Sequence, residues 1–253
     1  MADAGTPPRR RGRPSRPVLS EERITTAAIK IVATRGYHHL TMTELARELK
    51  VSTSALYNHT PSKREVLIRV QDRINQGIDR SAFGRVPWDE ALEQWAHSYR
   101  RCYAKHTAMI PIMAVLPVAD SPHTLEMYEA AARGLADAGW EAASIVDVIA
   151  SIESLVLGAA YDATAPADVF DPGDRTDFAP VFSDAVRARS EEPGSAADAA
   201  FDLALTAMLD GFRMRLAAQR DRAGQRDGAG QTPGRQGTRR EGADGRDGTP
   251  GPG

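Results

Sequence analysis

The chain has 253 residues, of which 42% are hydrophobic and 26% charged, with a formal net charge of −2. This is enough apolar material for a buried core, and no stretch offers the roughly 18 uninterrupted apolar residues of a membrane span. Cys102 is the only cysteine, which excludes an intramolecular disulfide and a cysteine-rich zinc site, and we expect neither a metal nor a cofactor.

Charge is distributed unevenly along the chain. Residues 1–72 contain 13 lysines and arginines against 7 acidic residues, whereas the remainder contains 19 against 27. This asymmetry indicates that the N-terminal part binds nucleic acid and that the rest of the chain has a different function. The arginine-rich start is not followed by the apolar run of a secretory signal, so we expect a cytoplasmic protein without a membrane partner.

Residues 1–17 are rich in proline, glycine and arginine, which predicts a flexible basic arm. Within it, Arg11-Gly12-Arg13-Pro14 resembles the core of an AT-hook. Arginines on such a strand fit the narrow minor groove of A/T-rich DNA, and we expect Arg11 and Arg13 to contact DNA there. A solvated charge run is the alternative interpretation of the same residues.

The first helix is predicted to begin at the N-cap Ser20 and to end at Gly36, because apolar residues follow helical spacing between them. A Thr-x-x-Glu capping box at Thr41 and Glu44 then starts a second helix of about two turns.

A tight turn at residues 50–51 precedes a third short helix at 52–58, and a second capping box, Ser62 with Glu65, starts a fourth. Two short helices joined by a tight turn, with a helix on each side, form the helix-turn-helix layout. The sequence therefore predicts a three-helix DNA-binding domain at residues 18–66.

The rest of the chain is also predicted to be helical. Helical periodicity appears at residues 88–105, 125–138, 142–162 and 197–218, with a kinked segment near Pro111 and Pro117. A long acidic loop, 163–196, contains a short predicted helix at 179–188. We expect an all-α protein with a regulatory and dimerisation domain at 67–218 and a disordered tail at 219–253.

The segment from Gly36 to Lys63 resembles the DNA-binding signature of the TetR family. The matching residues are Leu40, Thr41, Leu45, Ala46, Leu49, Val51, Ala55-Leu56-Tyr57-Asn58-His59 and Ser62-Lys63-Arg64. The resemblance implies a helical dimer that binds double-stranded operator DNA, with phosphate contacts from Tyr57 and His59.

Independently of the resemblance, small polar residues at the start of the third helix allow it to enter a major groove about 12 Å wide. Asn58 can pair with adenine or simply cap the helix. The candidate DNA-binding residues of the domain are Thr41, Thr43, Thr53, Ser54, Ala55, Tyr57, Asn58, His59 and Lys63.

The C-terminal half is similar to the tetracycline repressor branch of the family. The similarity is carried by Trp88, Tyr99-Arg100-Arg101, Gly139, Leu157-Gly158-Ala159 and Phe201-Asp202-Leu203. It implies that the helices at 142–162 and 197–218 pack with their copies into a four-helix dimer interface. The candidate interface residues are Ile145, Ile149, Ile152, Val156, Leu205, Met208 and Phe212.

Trp95 and Met113 occupy positions that are polar or metal-binding in the tetracycline repressor, so we do not expect a magnesium-chelated antibiotic. The candidate ligand-binding residues form an aromatic and methionine-rich set suited to an apolar or flat small molecule. They are Trp95, Tyr99, Tyr103, Met109, Met113, Met127 and Ile149.

The sequence thus predicts a homodimeric repressor that a small-molecule effector releases from a palindromic operator. Two alternatives stay open: a regulator without an effector, either constitutive or controlled by a partner protein, and an activator. No catalytic residues are predicted, because the chain has no Gly-x-Ser-x-Gly elbow, no phosphate-binding glycine loop and no helical His/Glu metal pair.

Overall fold

A computed structural model describes residues 19–113, 116–166 and 168–229, and within these ranges the chain is helical, without a β-strand. The all-α prediction is confirmed. The helices are α1 (Glu21–Arg35), α2 (Met42–Leu49), α3 (Thr53–Tyr57), α4 (Lys63–Gln76), α5 (Trp88–Tyr103), α6 (Ile110–Met113), α7 (Pro122–Asp137), α8 (Ala142–Asp162), α9 (Pro180–Glu191) and α10 (Ala196–Ala229). Short 3₁₀ turns lie at Tyr37–His39, Thr107–Met109 and Gly173–Arg175.

Side-chain caps define the starts of α1 to α4. In each case a hydroxyl oxygen accepts a hydrogen bond from the backbone N–H three residues ahead, at 3.1–3.3 Å. The four capping residues are Ser20, Thr41, Ser52 and Ser62. Only this half of each predicted capping box forms, because the carboxylates of Glu44 and Glu65 pair with Arg47 and Arg69 instead.

The first three helices and the start of α4 enclose a small core of their own. Ile24, Leu45, Leu56 and Val66, one from each helix, are at most 1% exposed. Lys50 adopts the left-handed conformation, with φ of 57°, and so reverses the chain between α2 and α3. The turn therefore falls where the sequence predicts it.

The C-terminal body is built on α5 and α8, with α7 and α10 packed against α8. By length and mean hydropathy, 21 residues and 1.7, α8 is also apolar enough to cross a membrane. The same composition is typical of a core helix, and one face of α8 lies against the rest of the body, where Ile152 and Val156 are fully buried. Its other face carries the exposed Val146 and Tyr161.

Four of the seven predicted dimer-interface residues lie in the core of the single chain. Ile149, Ile152, Val156 and Leu205 are at most 6% exposed within the single chain, and Ile145, Met208 and Phe212 pack partly buried against the same core. The apolar residues left at the surface are different ones: Val146 and Tyr161 on α8, and Leu203 and Met214 on α10, which are 60–75% exposed. Both helices carry apolar residues on more than one face, so periodicity alone does not identify the inner one.

The end of the body also differs from the prediction. Helix α10 continues to Ala229, past the boundary at 218, so a disordered tail from residue 219 is wrong as far as 229. Alanine, arginine and glutamine favour the helix beyond its last buried residues, Leu216 and Gln219. The short helix predicted at 179–188 is α9, which has no buried residue.

Candidate DNA-binding surface and ligand cavity

Helix α3 and the two residues after it present most of their predicted DNA-binding side chains to solvent. Ser54, Asn58 and His59 are exposed, Tyr57 is 49% exposed, and Thr53 and Ala55 are half-buried. Leu56 is fully buried and fastens the short helix to the core. The result is a compact polar surface that can approach a groove closely.

Two further polar groups flank α3. Lys63 is the first residue of α4, and its Nζ lies 3.7 Å from the centre of the Tyr37 ring. On the other side, Thr41 and Thr43 are exposed at the start of α2. The sequence interpretation did not identify Tyr37 as the partner of Lys63. The only signal for it was an aromatic residue directly after Gly36, which ends the first helix. Arg11 and Arg13 lie outside the described residues.

A cavity of about 280 Å³ opens in the C-terminal body among α4, α5, α7 and α8. Three of the predicted ligand-binding residues, Tyr99, Tyr103 and Met113, line it. The other lining residues are Gln71, Leu116, Val118, Tyr128, Ala150, Glu153, Ser154 and Leu157.

Four predicted ligand-binding residues do not line this cavity: Trp95, Met109, Met127 and Ile149, which are at most 6% exposed and belong to the core. The Trp95 ring packs edge-on against Phe83 and Tyr99, at centroid distances of 6.1 and 5.4 Å. Trp95 shares a face of α5 with Tyr99 and Tyr103. It lies one helical turn, about 6 Å, before Tyr99, on the side away from Tyr103.

Glu153, which the sequence interpretation missed, is the only charged residue among the described residues that line the cavity. Its Oε1 accepts hydrogen bonds from the hydroxyls of Tyr99 and, at 2.7 Å, Tyr128. Burial raises the pKa of both tyrosines, and the nearby Glu153 charge raises it further. Both hydroxyls therefore keep their protons and act as donors to the carboxylate.

Tyr103 connects the cavity to α4. Its hydroxyl donates to Oδ1 of Asn75 at 2.7 Å, and Nδ2 of Asn75 donates to Oγ1 of Thr124 on α7 at 2.9 Å. Asn75 is fully buried. One turn earlier, the Asp72 carboxylate accepts from the backbone N–H groups of His123 and Thr124, at 2.8 and 3.1 Å. These bonds fix the second half of α4 to the cavity walls.

The same helix is also bonded to the DNA-binding domain. Arg69 donates to the backbone carbonyl of His59 at 3.1 Å. Arg73 donates to the carbonyl of Glu22 at 2.9 Å and to Oγ1 of Thr25 at 3.0 Å. Hydrogen bonds thus join α4 to α1 and to the segment that follows α3.

Two family models match the chain. Residues 24–70 match the model of bacterial regulatory proteins of the tetR family, and residues 82–216 match the tetracyclin repressor-like C-terminal domain. The curated HTH-type transcriptional repressor DrrR1 of Streptomyces coeruleorubidus is 29% identical over 153 residues, 60% of this chain. The matched region spans only 56% of that relative's length.

Solved structures share the fold. ActR of Streptomyces coelicolor in complex with (S)-DNPA superimposes with a TM-score of 0.63 at 21% identity, covering 79% of this chain and 98% of that one. BioQ, whose structure is also known with its double-stranded DNA operator, gives 0.50 at 26% identity in that complex, covering 68% and 99%.

Proposed function

Because the chain belongs to the TetR family of bacterial transcriptional regulators, we propose that it is a cytoplasmic repressor that a small molecule in the 280 Å³ cavity releases from its operator. The observation that carries this proposal is the position of α4. Arg69 of α4 donates to the backbone carbonyl of His59, two residues after the reading helix α3, while Gln71 lines the cavity and Asn75 is bonded to the cavity residue Tyr103.

In this proposal the exposed surface of α3 reads operator DNA. Ser54 and Asn58 face base edges, and Thr53 and Ala55 allow the close approach. Tyr57, His59, Lys63 and the hydroxyls of Thr41 and Thr43 position the domain on phosphates, and Arg11 and Arg13 add contacts from the arm. That BioQ, which shares the fold, was solved with its double-stranded DNA operator supports operator binding by this chain.

We assign the dimer contact to the exposed faces of α8 and α10. Val146 and Tyr161 on the first helix and Leu203 and Met214 on the second are large apolar side chains that stay exposed in the single chain. A Cβ atom at Gly158 or Gly211 would meet nothing within 4 Å, so another helix can come close there. A second copy would bury these side chains and present two reading helices to a palindromic operator, one helical turn or about 34 Å apart.

Release follows from the two sets of bonds on α4. An effector that favours a different arrangement of Tyr103 and Gln71 displaces α4, and the arginine contacts to α1 and α3 carry the displacement to the reading helix. Simultaneous docking in two successive grooves is sensitive to a shift of a few ångströms. The effector must prefer the non-binding state, and a hundredfold preference supplies nearly 3 kcal/mol.

The test begins with the operator, identified by sequencing the genomic DNA that the purified protein retains. Compounds that raise the melting temperature of the protein are then titrated against the protein–operator complex. We expect some of them to weaken operator affinity and, by thermodynamic reciprocity, the operator to weaken their binding by the same factor. If every stabilising compound leaves operator affinity unchanged, the proposal of effector release is wrong.

A further inference from the structure

The hydroxyl groups of the cavity already donate to protein acceptors. The hydroxyls of Tyr99 and Tyr128 donate to Glu153, that of Tyr103 to Asn75, and that of Ser154 to the carbonyl of Ala150. A ligand that enters this cavity therefore meets few free hydroxyl hydrogens.

Acceptors, by contrast, are left over. Both tyrosine hydroxyls bind the same oxygen of Glu153, Oε1, so within the described residues Oε2 has no protein hydrogen bond. Gln71 is 6% exposed, and its Oε1 is buried without a hydrogen-bond partner in the described part of the chain. A buried acceptor without a partner is costly, and a ligand that donates to it recovers that cost.

The charge of the cavity is also uncompensated. No lysine, arginine or histidine forms an ion pair with Glu153 among the described residues. Three tyrosine rings, Tyr99, Tyr103 and Tyr128, line the same cavity as this carboxylate. Aromatic faces around an acidic group attract ammonium cations through both the ring quadrupole and the opposite charge.

We infer that the effector is a cation: a molecule with a flat apolar part and a protonated amine, which donates to Glu153 and lies among the tyrosine rings. This narrows the effector class from the apolar or aromatic molecule that the sequence predicts. It rests on the proposed function, because it assumes that the cavity is the effector site.

Three probes on the same biphenyl frame test the effect of charge: 4-phenylbenzylamine, a cation at pH 7; its neutral isostere 4-phenylbenzyl alcohol, which is still a donor; and the anion biphenyl-4-carboxylate, which has no donor. Affinities are measured by calorimetry on the purified full chain without DNA. We expect the amine to bind about tenfold more tightly than the alcohol, and the carboxylate most weakly. Both the amine and the alcohol can donate to the carboxylate of Glu153, but only the ammonium adds the attraction between opposite charges.

Glu153→Gln should abolish the preference for the amine, because the affinity for the amine falls much further than the affinity for the alcohol. The amide oxygen of the introduced glutamine can still accept hydrogen bonds from both tyrosines, which favours a folded variant. Glu153→Asp keeps the charge and should retain part of the preference for the amine. The matched control is Glu93→Gln, the same change at an exposed position of α5, which should leave all three affinities unchanged.

The inference is overturned if the wild type binds the alcohol as tightly as the amine, if it binds none of the probes, or if Glu153→Gln keeps the preference. A separate operator-release measurement distinguishes this failure from that of the proposed function. Glu153-dependent binding of the amine without operator release would refute release and leave the cation site standing. Equal release by amine and alcohol would refute the cation site and leave release standing.

Discussion

Replacing Tyr103 by phenylalanine should weaken the connection between the cavity and α4 while preserving the aromatic wall. The lost hydroxyl donates to Oδ1 of Asn75 at 2.7 Å, and both side chains are at most 1% exposed. An acceptor left unpaired in such a place costs about 1–3 kcal/mol. In a chain of this size each kcal/mol lowers the melting temperature by about 2–4 °C.

The functional effect should be larger on induction than on DNA binding. Coupling between two sites is typically about 1–3 kcal/mol, or 5- to 150-fold in affinity. If Tyr103 carries most of it, the ratio of operator dissociation constants with and without saturating effector should fall in Tyr103→Phe by about fivefold or more. Operator affinity without effector should stay near that of the wild type, because Asn75, the partner of Tyr103, lies about 18 Å along α4 from Lys63.

Fluorescence anisotropy with a labelled operator duplex measures both dissociation constants. Tyr128→Phe is the matched control, since it removes the same atom from the same cavity but from a bond to Glu153 on α8 rather than to α4. At saturating effector it should retain the wild-type ratio. A wild-type ratio in Tyr103→Phe, or an equal loss in both variants, would refute the route through Asn75.

Three further outcomes follow from the proposed function. Lys63→Ala should weaken binding to operator and random DNA alike, whereas Asn58→Ala should lose about 1–3 kcal/mol mainly on the operator; equal losses for Asn58→Ala would contradict base reading. Deletion of residues 1–16 should make the slope of log affinity against log salt shallower, by up to about 0.9 per lost phosphate contact, and an unchanged slope would mean that the arm does not bind DNA. Leu203→Asp should give monomers in analytical ultracentrifugation, whereas Leu125→Asp, at an exposed position of α7, should not; a stable dimer of the first variant would contradict the α8–α10 contact.

Local rules in the sequence determined the helices and the DNA-binding domain. A hydroxyl residue at each N-cap acts on a backbone N–H only three residues away, so Thr41 and Ser62 could be interpreted without knowledge of the fold. The position of the turn at Lys50 and the exposure of Ser54 and Asn58, in and directly after α3, likewise depend on neighbours within a few residues. The family resemblance could be identified in the sequence for the same reason.

Only the tertiary structure decided which faces of the long helices meet. Ile152 and Val156 on α8 look the same in sequence as the exposed Val146, because a helix that is apolar on several sides does not reveal its orientation. Asn75 has two hydrogen-bond partners that are distant along the chain: Tyr103 is 28 residues away and Thr124 is 49 residues away. Glu153 owes its role to two tyrosines on other helices, so its place in the cavity appears only when α5, α7 and α8 pack together.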